Sequence, residues 1–376
     1  MIPSECSTVT VMKLKDYHLD SAIAAVETIF SNWSGDCLKP ETRVTIKPNL
    51  LMRRTPEQAT TTHPVIIQAV IHALRARGIT QITIADSPGG PYTTSALHGI
   101  YQTCGLEALG AELLNYDTGY GHHPAPSGSL LSEYALINPI LNADVVISIG
   151  KVKTHSMTTL SGGVKNLFGC IPGLQKPQLH YRFPDNRAFC RMLVELAQTV
   201  QPQLTILDGV VAMEGDGPSG GTPRKAGWLI GSASPFAADL ALCELMRLEP
   251  TQVETVSYSI ATGLIPASPQ QLVHLGDGWN PISDFQMPKS KSLDFSDHIP
   301  CFLRPLAKFL RGIWVNRPVI RTNDCIGCGK CAESCPPSTI QVKDGKAVID
   351  YSACISCFCC HEMCPVKAID IRRVKK

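Results

Sequence analysis

Eight cysteines near the end of the chain constrain its fold more than any other feature. They read Cys325-x2-Cys328-x2-Cys331-x3-Cys335-Pro336 and Cys354-x2-Cys357-x2-Cys360-x3-Cys364-Pro365. Three thiolates at this spacing wrap one face of an iron–sulfur cube through a tight turn, and the fourth is placed to reach a second cube. The pattern therefore predicts two [4Fe–4S] clusters. One is assigned to Cys325, Cys328, Cys331 and Cys364, the other to Cys354, Cys357, Cys360 and Cys335. All four cysteines recur at an offset of 29 residues, as do Ile340 with Ile369 and Val342 with Ile371. Such a repeat implies two copies of one small unit related by pseudo-symmetry. Zinc also favours paired C-x2-C motifs, but zinc knuckles do not need two four-cysteine runs each ending in proline. Cys359, a fifth cysteine in the second run, is read as packed between ligands, with register sharing with Cys360 left open.

Nine of the 16 cysteines fall in the last 52 residues. The start, MIPSECSTVTVMKLKD, lacks a basic region followed by an apolar stretch. Reduced thiolates in a cytoplasm are expected, not a disulfide framework. So small a unit has few other apolar residues, and its clusters are expected to supply much of its stability. Residues from about 320 to 374 resemble a two-cluster bacterial-type ferredoxin domain. The resemblance implies one-electron transfer at each cluster.

A chain of 376 residues with 44% apolar content holds more than one core. Its formal charge of +2, from 34 Lys and Arg against 32 Asp and Glu, argues against nucleic acid as a partner. No apolar run is long enough for a membrane span, so no integral membrane association is expected. The segment 301–315, CFLRPLAKFLRGIWV, reads as a helix packed against a domain, with a membrane-surface role as the alternative. The domain reading is an α/β domain over 1–298, a helical linker over 299–319 and a small α+β two-cluster ferredoxin-like domain over 320–376.

The first three hundred residues alternate short apolar β-rich runs with helical periodicity. Strands are predicted at 8–14, 43–49, 81–86, 143–150, 203–209 and 227–232, and helices at 19–33, 64–77, 186–200 and 236–247. The alternation indicates α/β architecture with a largely parallel sheet. Ligands of open α/β sheets collect beyond the carboxyl ends of the strands, and here those ends are unusually polar. One delivers Lys47 and Asn49, the next Asp86 followed by Ser87-Pro88-Gly89-Gly90. A third runs into Lys151, Lys153 and His155, then Gly162, Gly163, Lys165 and Asn166. A fourth gives Asp208 and leads to Glu214.

Lysines are compact charges suited to anions, and glycines let backbone N–H groups approach a phosphate or carboxylate. The loop from Lys151 to Asn166 is accordingly read as an anion clamp. If the strand continues, Lys151 and Lys153 share a face. No G-x-x-x-x-G-K-[ST] or G-x-G-x-x-G fingerprint occurs, so the usual nucleotide loops are unsupported. His63 before Pro64 reads as a helix N-cap. Asp208 and Glu214 are candidate acid–base groups, although Asp-Gly also makes turns. Cys170 with His180 is a candidate metal or thiol pair, and the His122-His123 stretch reads as solvated surface.

The segments IKPNLL, TTTHP, IADSPGG, KVKTHSMTTLSGGVKNLFGCIPG and LDGVVAMEGDGPSGG, spanning about 40 to 250, together resemble the family labelled domain of unknown function 362. Members are similar in often carrying a ferredoxin-type tail. The resemblance implies a cytoplasmic iron–sulfur protein with Lys47, Asn49, Lys153, His155, Lys165 and Asn166 in shared motifs. It supplies no substrate.

Three functions follow as expectations. The first is an oxidoreductase, taking electrons from a donor such as reduced ferredoxin or flavodoxin and passing them to an anionic small molecule held by the lysines, with His155 or Asp208 supplying a proton. The second is an electron-transfer or iron–sulfur assembly protein acting on a partner. The third is a non-redox enzyme with structural clusters. Whether a flavin or a metal also occupies the cleft is left open.

Overall fold

A computed structural model describes residues 7–33, 35–288 and 314–375. The larger part is built on one twisted sheet of β1 (Thr8–Lys13), β2 (Val44–Pro48), β3 (Ile82–Ile84), β6 (Val145–His155), β7 (Thr159–Ser161), β8 (Leu204–Glu214), β9 (Thr222–Ser232) and β10 (Val273–Gly276). The order is β10-β1-β9-β8-β6-β2-β3, with β7 folded back on β6. Pairings β1–β10, β6–β8, β2–β6 and β2–β3 are parallel. Those of β9 with its two neighbours are antiparallel, as is β6–β7. The sheet is mostly parallel, as the alternating pattern predicts.

Helices cover both faces. On one side lie α1 (Leu19–Asn32), α2 (Pro64–Ala76) and α3 (Thr94–Thr103); on the other lie α7 (Asn186–Val200), α8 (Pro235–Leu245) and α9 (Glu254–Ala261). Alternation along β6 shows why both layers form. Val145, Ile147 and Ile149 pack with the first layer, while Val146 and Val152 pack with the second. Start signals in the sequence fix the helix ends. His63 caps α2 by accepting from Val65 N–H, with Pro64 at the first helical position. Asp185 caps α7 and Ser234 caps α8 in the same way. The short α4 (Asn138–Leu141), α5 (Gly163–Asn166) and α6 (Gln175–Arg182) join the second layer's core through Ile140, Val164 and Leu179.

Two elements depart from expectation. The run KVKTH is no loop, because β6 continues through it to His155 with every residue buried. The His122-His123 stretch is β4 (Tyr120–Pro124), paired with β5 (Glu133–Ile137), although it is exposed as expected, with His122 against Glu133 at 2.9 Å.

The small C-terminal unit contains β11 (Trp314–Ile320), α10 (Lys330–Glu333), β12 (Ile340–Lys343), β13 (Lys346–Ile349), α11 (Cys359–Glu362) and β14 (Ile369–Lys375). β11 pairs antiparallel with β14, and β12 with β13. α10 and α11 begin 29 residues apart, which is the offset of the cysteine repeat. Residues 314–319 of the expected helical linker are therefore strand, recruited by the free edge of β14. The rest of that linker, and the boundary at 298, lie outside the described residues.

Candidate functional site

The carboxyl ends of β2, β3 and β6 meet the C-terminal unit across a cavity of about 720 Å³, its open mouth included. Lys47, Asn49, Asp86, Lys153, His155, Lys165 and Asn166 line it, so seven of the anticipated residues come together. Each is held by neighbours. Lys47 Nζ lies 2.7 Å from Asp86 Oδ1 and donates to Pro48 O at 2.8 Å. Asp86 Oδ2 accepts from Leu50 N–H at 2.8 Å. Asn49 accepts from Lys153 Nζ at 2.9 Å and donates to Asn166 Oδ1 at 3.1 Å. Lys153 also donates to Thr60 O at 2.8 Å. Apart from Lys165, this is a pre-ordered network, with little rotamer entropy left to lose on binding.

Five anticipated residues belong elsewhere. Lys151 points to the opposite side of a register irregularity between Lys151 and Lys153, where it pairs with Asp208 at 2.9 Å. Both side chains are fully buried, and Tyr17 Oη and His63 N–H donate to the same carboxylate. Tyr17 stacks on His63 with centroids 3.6 Å apart. Burial lowers His63 to about 4 and raises Tyr17. Asp208 is thus the centre of a buried ion-pair network and not an acid–base group in the cavity. Glu214, at the end of β8, accepts from Gln286 N–H at 3.1 Å and faces Arg224 at 3.6 Å; it too lies off the cavity. Gly162 and Gly163 do approach a carboxylate, but it is the chain's own. Gly163 and Val164 N–H donate to Asp239 at 2.6 and 3.1 Å. Burial raises Asp239 to about 7 against those two donors. The anion clamp expected of this turn is satisfied internally.

His155 lines the cavity with its Nδ1 accepting from Met157 N–H at 3.1 Å, which leaves the proton on Nε2. Nε2 lies 3.3 Å from Glu362 Oε1 of the C-terminal unit. The imidazole therefore orients Glu362. Burial raises Glu362, opposed by Lys165, His361 and Lys153.

Several lining residues were missed in the sequence. Lys176 Nζ donates to Ser87 O, Ser87 Oγ and Ile171 O at 2.8, 3.0 and 2.7 Å. Burial brings both Lys153 and Lys176 down to about 7. Lys176 and His180 stand four apart on α6 and both line the cavity, a spacing that marks one helix face. Phe168, Ser334, Cys359 and Met363 also line it. Cys359 lines this cavity and also hydrogen-bonds the Cys357 sulfur, so it does pack beside the ligands as expected. Cys170 is fully buried and pushed up to about 12 by desolvation, so it offers no reactive thiol beside His180.

The cysteine runs meet the demands of two clusters. Cys325, Cys328, Cys331 and Cys364 together line a second chamber of about 330 Å³. The Cys360 thiol is surrounded by Cys357, Cys354 and Cys335, whose charges raise it further after burial. Ala347, Ala368 and Thr339 N–H donate to the sulfurs of Cys325, Cys364 and Cys335 at 3.4, 3.1 and 3.4 Å. Such bonds tune cluster potential. Every described cysteine is a free thiol. The two modules are latched: Arg54 Nη2 donates to Cys364 O at 3.3 Å, Ser219 Oγ to Glu362 O at 2.7 Å and Lys367 Nζ to Gly221 O at 3.0 Å.

Fold and site together define an iron–sulfur protein in which an α/β domain and an electron-transfer module share one cavity. Residues 317–365 match the 4Fe-4S dicluster domain, and residues 44–244 match the Domain of unknown function (DUF362). The chain belongs to the DUF362 family. It is 31% identical over 328 residues to the "Thylakoid-associated protein sll1697" of Synechocystis sp., covering 83% of this chain and 97% of that one. Among solved structures it is similar to a lactate racemase apoprotein from Thermoanaerobacterium thermosaccharolyticum, at 14% identity and TM-score 0.39, over 65% of this chain and 58% of the other. It is also similar to a Thermotoga maritima protein at 11% identity and TM-score 0.32, over 57% and 55%. The chain thus spans less than two thirds of either structure. Among the described residues no helix is long and apolar enough to cross a membrane.

Proposed function

We propose that this chain is an iron–sulfur oxidoreductase that delivers electrons to a small anionic substrate in the interdomain cavity. One observation carries the reading: Ser334, Cys359, Glu362 and Met363, which flank the cluster cysteines Cys335, Cys360 and Cys364, wall the same cavity as Lys47, Lys153, Lys165 and Lys176. Lys47 is paired with Asp86, and Lys153 and Lys176 against Glu362 leave the cavity a net attraction for anions. Lys153 and Lys176 are held by neutral oxygens, so their charge is not cancelled locally. Positive groups of this kind stabilise negative charge that builds up during reduction.

The clusters, when bound, supply one-electron transfer. The protein's own residues set the direction. Cys328 is exposed and Ile326 beside it is 62% exposed, which supports docking of a donor such as reduced ferredoxin or flavodoxin at the first cysteine set. The second set faces the substrate. His155 keeps Glu362 in place, and Lys153 or Lys176, both near 7, are the groups suited to deliver a proton. The free thiols support a reducing cytoplasm as the site of action.

The test is an anaerobic reductive titration of the cluster-loaded protein, followed by reoxidation with a panel of carboxylates, 2-oxo acids and phosphate monoesters. Uptake of about two electrons is expected, one per cluster; a larger uptake would place a flavin or another redox group in the cavity. At least one anion should accelerate reoxidation, and Lys153→Ala with Lys176→Ala should abolish the acceleration while leaving electron uptake unchanged. Equal reoxidation with and without every anion would sink the proposal.

A further inference from the structure

Lys165 stands apart from the other lysines of the cavity. Lys47, Lys153 and Lys176 each donate to protein oxygens. Among the described residues Lys165 Nζ has no oxygen partner, and lies instead 4.3 Å from the ring centroid of Phe168 and 5.7 Å from that of Phe189. The same aromatic corner holds His180, stacked on Phe189 at 4.2 Å and edge-on to Phe168 at 5.6 Å. His180 is 3% exposed, yet its Nδ1 has no hydrogen-bond partner. A buried polar atom without a partner costs about 1–3 kcal/mol unless something occupies its position. Both side chains line the cavity.

Burial keeps the imidazole neutral, well below its ordinary range, and lowers Lys165 against the opposing charges of Glu362, Cys359 and Cys190. An amine with no ion-pair partner among the described residues, lowered by burial and lining a cavity, is suited to nucleophilic attack more than to holding a charge.

We propose that Lys165 is a Schiff-base lysine that condenses with the carbonyl carbon of a small anionic 2-oxo acid, with His180 as its proton carrier. The inference rests on the anion-binding reading of the cavity, since the acid's carboxylate is held in the field of Lys153 and Lys176. The neutral amine adds to the carbonyl carbon to form a carbinolamine. The carbonyl oxygen then leaves as water, taking both amine hydrogens by way of His180, and a C=N bond remains. No electrons change hands in this step. The Phe168 and Phe189 rings give the corner an apolar side, which favours dehydration.

The experiment uses the full, cluster-loaded chain with glyoxylate or 2-oxoglutarate and cyanoborohydride under anaerobic conditions, with peptide mapping by mass spectrometry. The expected result is reductive labelling concentrated on Lys165, lost in Lys165→Arg, and suppressed in the unaltered protein by glycolate or 2-hydroxyglutarate. Those hydroxy acids can bind but cannot condense. If a hydroxy acid binds by calorimetry while Lys165 stays unlabelled, the imine is overturned and the anion site stands. If neither acid type binds, both readings fall. Labelling spread evenly over surface lysines also overturns the imine. Should Lys165→Arg fail to load its clusters, competition by the hydroxy acids in the unaltered protein decides the matter.

Discussion

At the scale of single residues, the partners of a charge decide whether it serves structure or chemistry. Lys151 and Lys153 are two apart on one strand, yet the first is neutralised by Asp208 and the second by no carboxylate within ion-pair distance among the described residues. Removing one member of a fully buried pair strands the other. Lys151→Met is expected to destabilise the fold by about 3–5 kcal/mol, while Lys151→Met combined with Asp208→Leu should recover most of that loss. Urea unfolding midpoints with unchanged slopes would report it. A double variant that regains stability but loses anion binding would return the pair to the functional site.

Among the elements, regular periodicity was readable and polar satisfaction was not. Runs such as QITIAD and QLTILDG announce β3 and β8, and His63-Pro64 announces the start of α2. The continuation of β6 through KVKTH was hidden, because charged residues at a strand end resemble a solvated loop until the acceptors that bury them are known. The same reason hid the fate of Gly162 and Gly163, whose carboxylate partner comes from α8, 76 positions away in the case of Gly163. The cysteine sets were readable because local spacing dictates them, whereas the contact between the modules depends on long-range docking that no local pattern encodes. That docking depends on close approach at Gly89, where an added Cβ would lie 2.5 Å from Met363 Sδ and 3.2 Å from Leu51 O. Gly89→Val should cost about 1–3 kcal/mol by overpacking. It should weaken anion binding measured by calorimetry while the cluster absorbance stays unchanged. Undiminished binding would mean that Met363 does not help to shape the cavity.

For the whole molecule, acidity should couple binding to protonation. Lys153 faces Glu362, Asp86, Lys165 and Lys151, and Lys176 faces Asp86, Lys47, Lys165 and Cys170. Both fall from 10.5 to about 7 on folding. Between those values the unfolded chain binds more protons than the folded one, so the stability of the ligand-free protein should rise with pH from about 7 towards 10.5. A bound anion raises both lysines again. Its affinity should be full below about 7 and fall as pH climbs through the raised values, with proton uptake on binding seen as a buffer-dependent heat in calorimetry. An affinity independent of pH across neutrality would contradict the assignment. The cysteine repeat adds a consequence of another kind. Shifted by 29 residues, Cys359 corresponds to Lys330 and Glu362 to Glu333. In the first copy these two side chains pair with each other at 2.9 Å on the surface, while in the second they face the cavity. At these two positions the second copy supplies cavity wall, and the first supplies a surface ion pair. Each substitution made in the inner copy therefore has a built-in control at the matching position of the outer one.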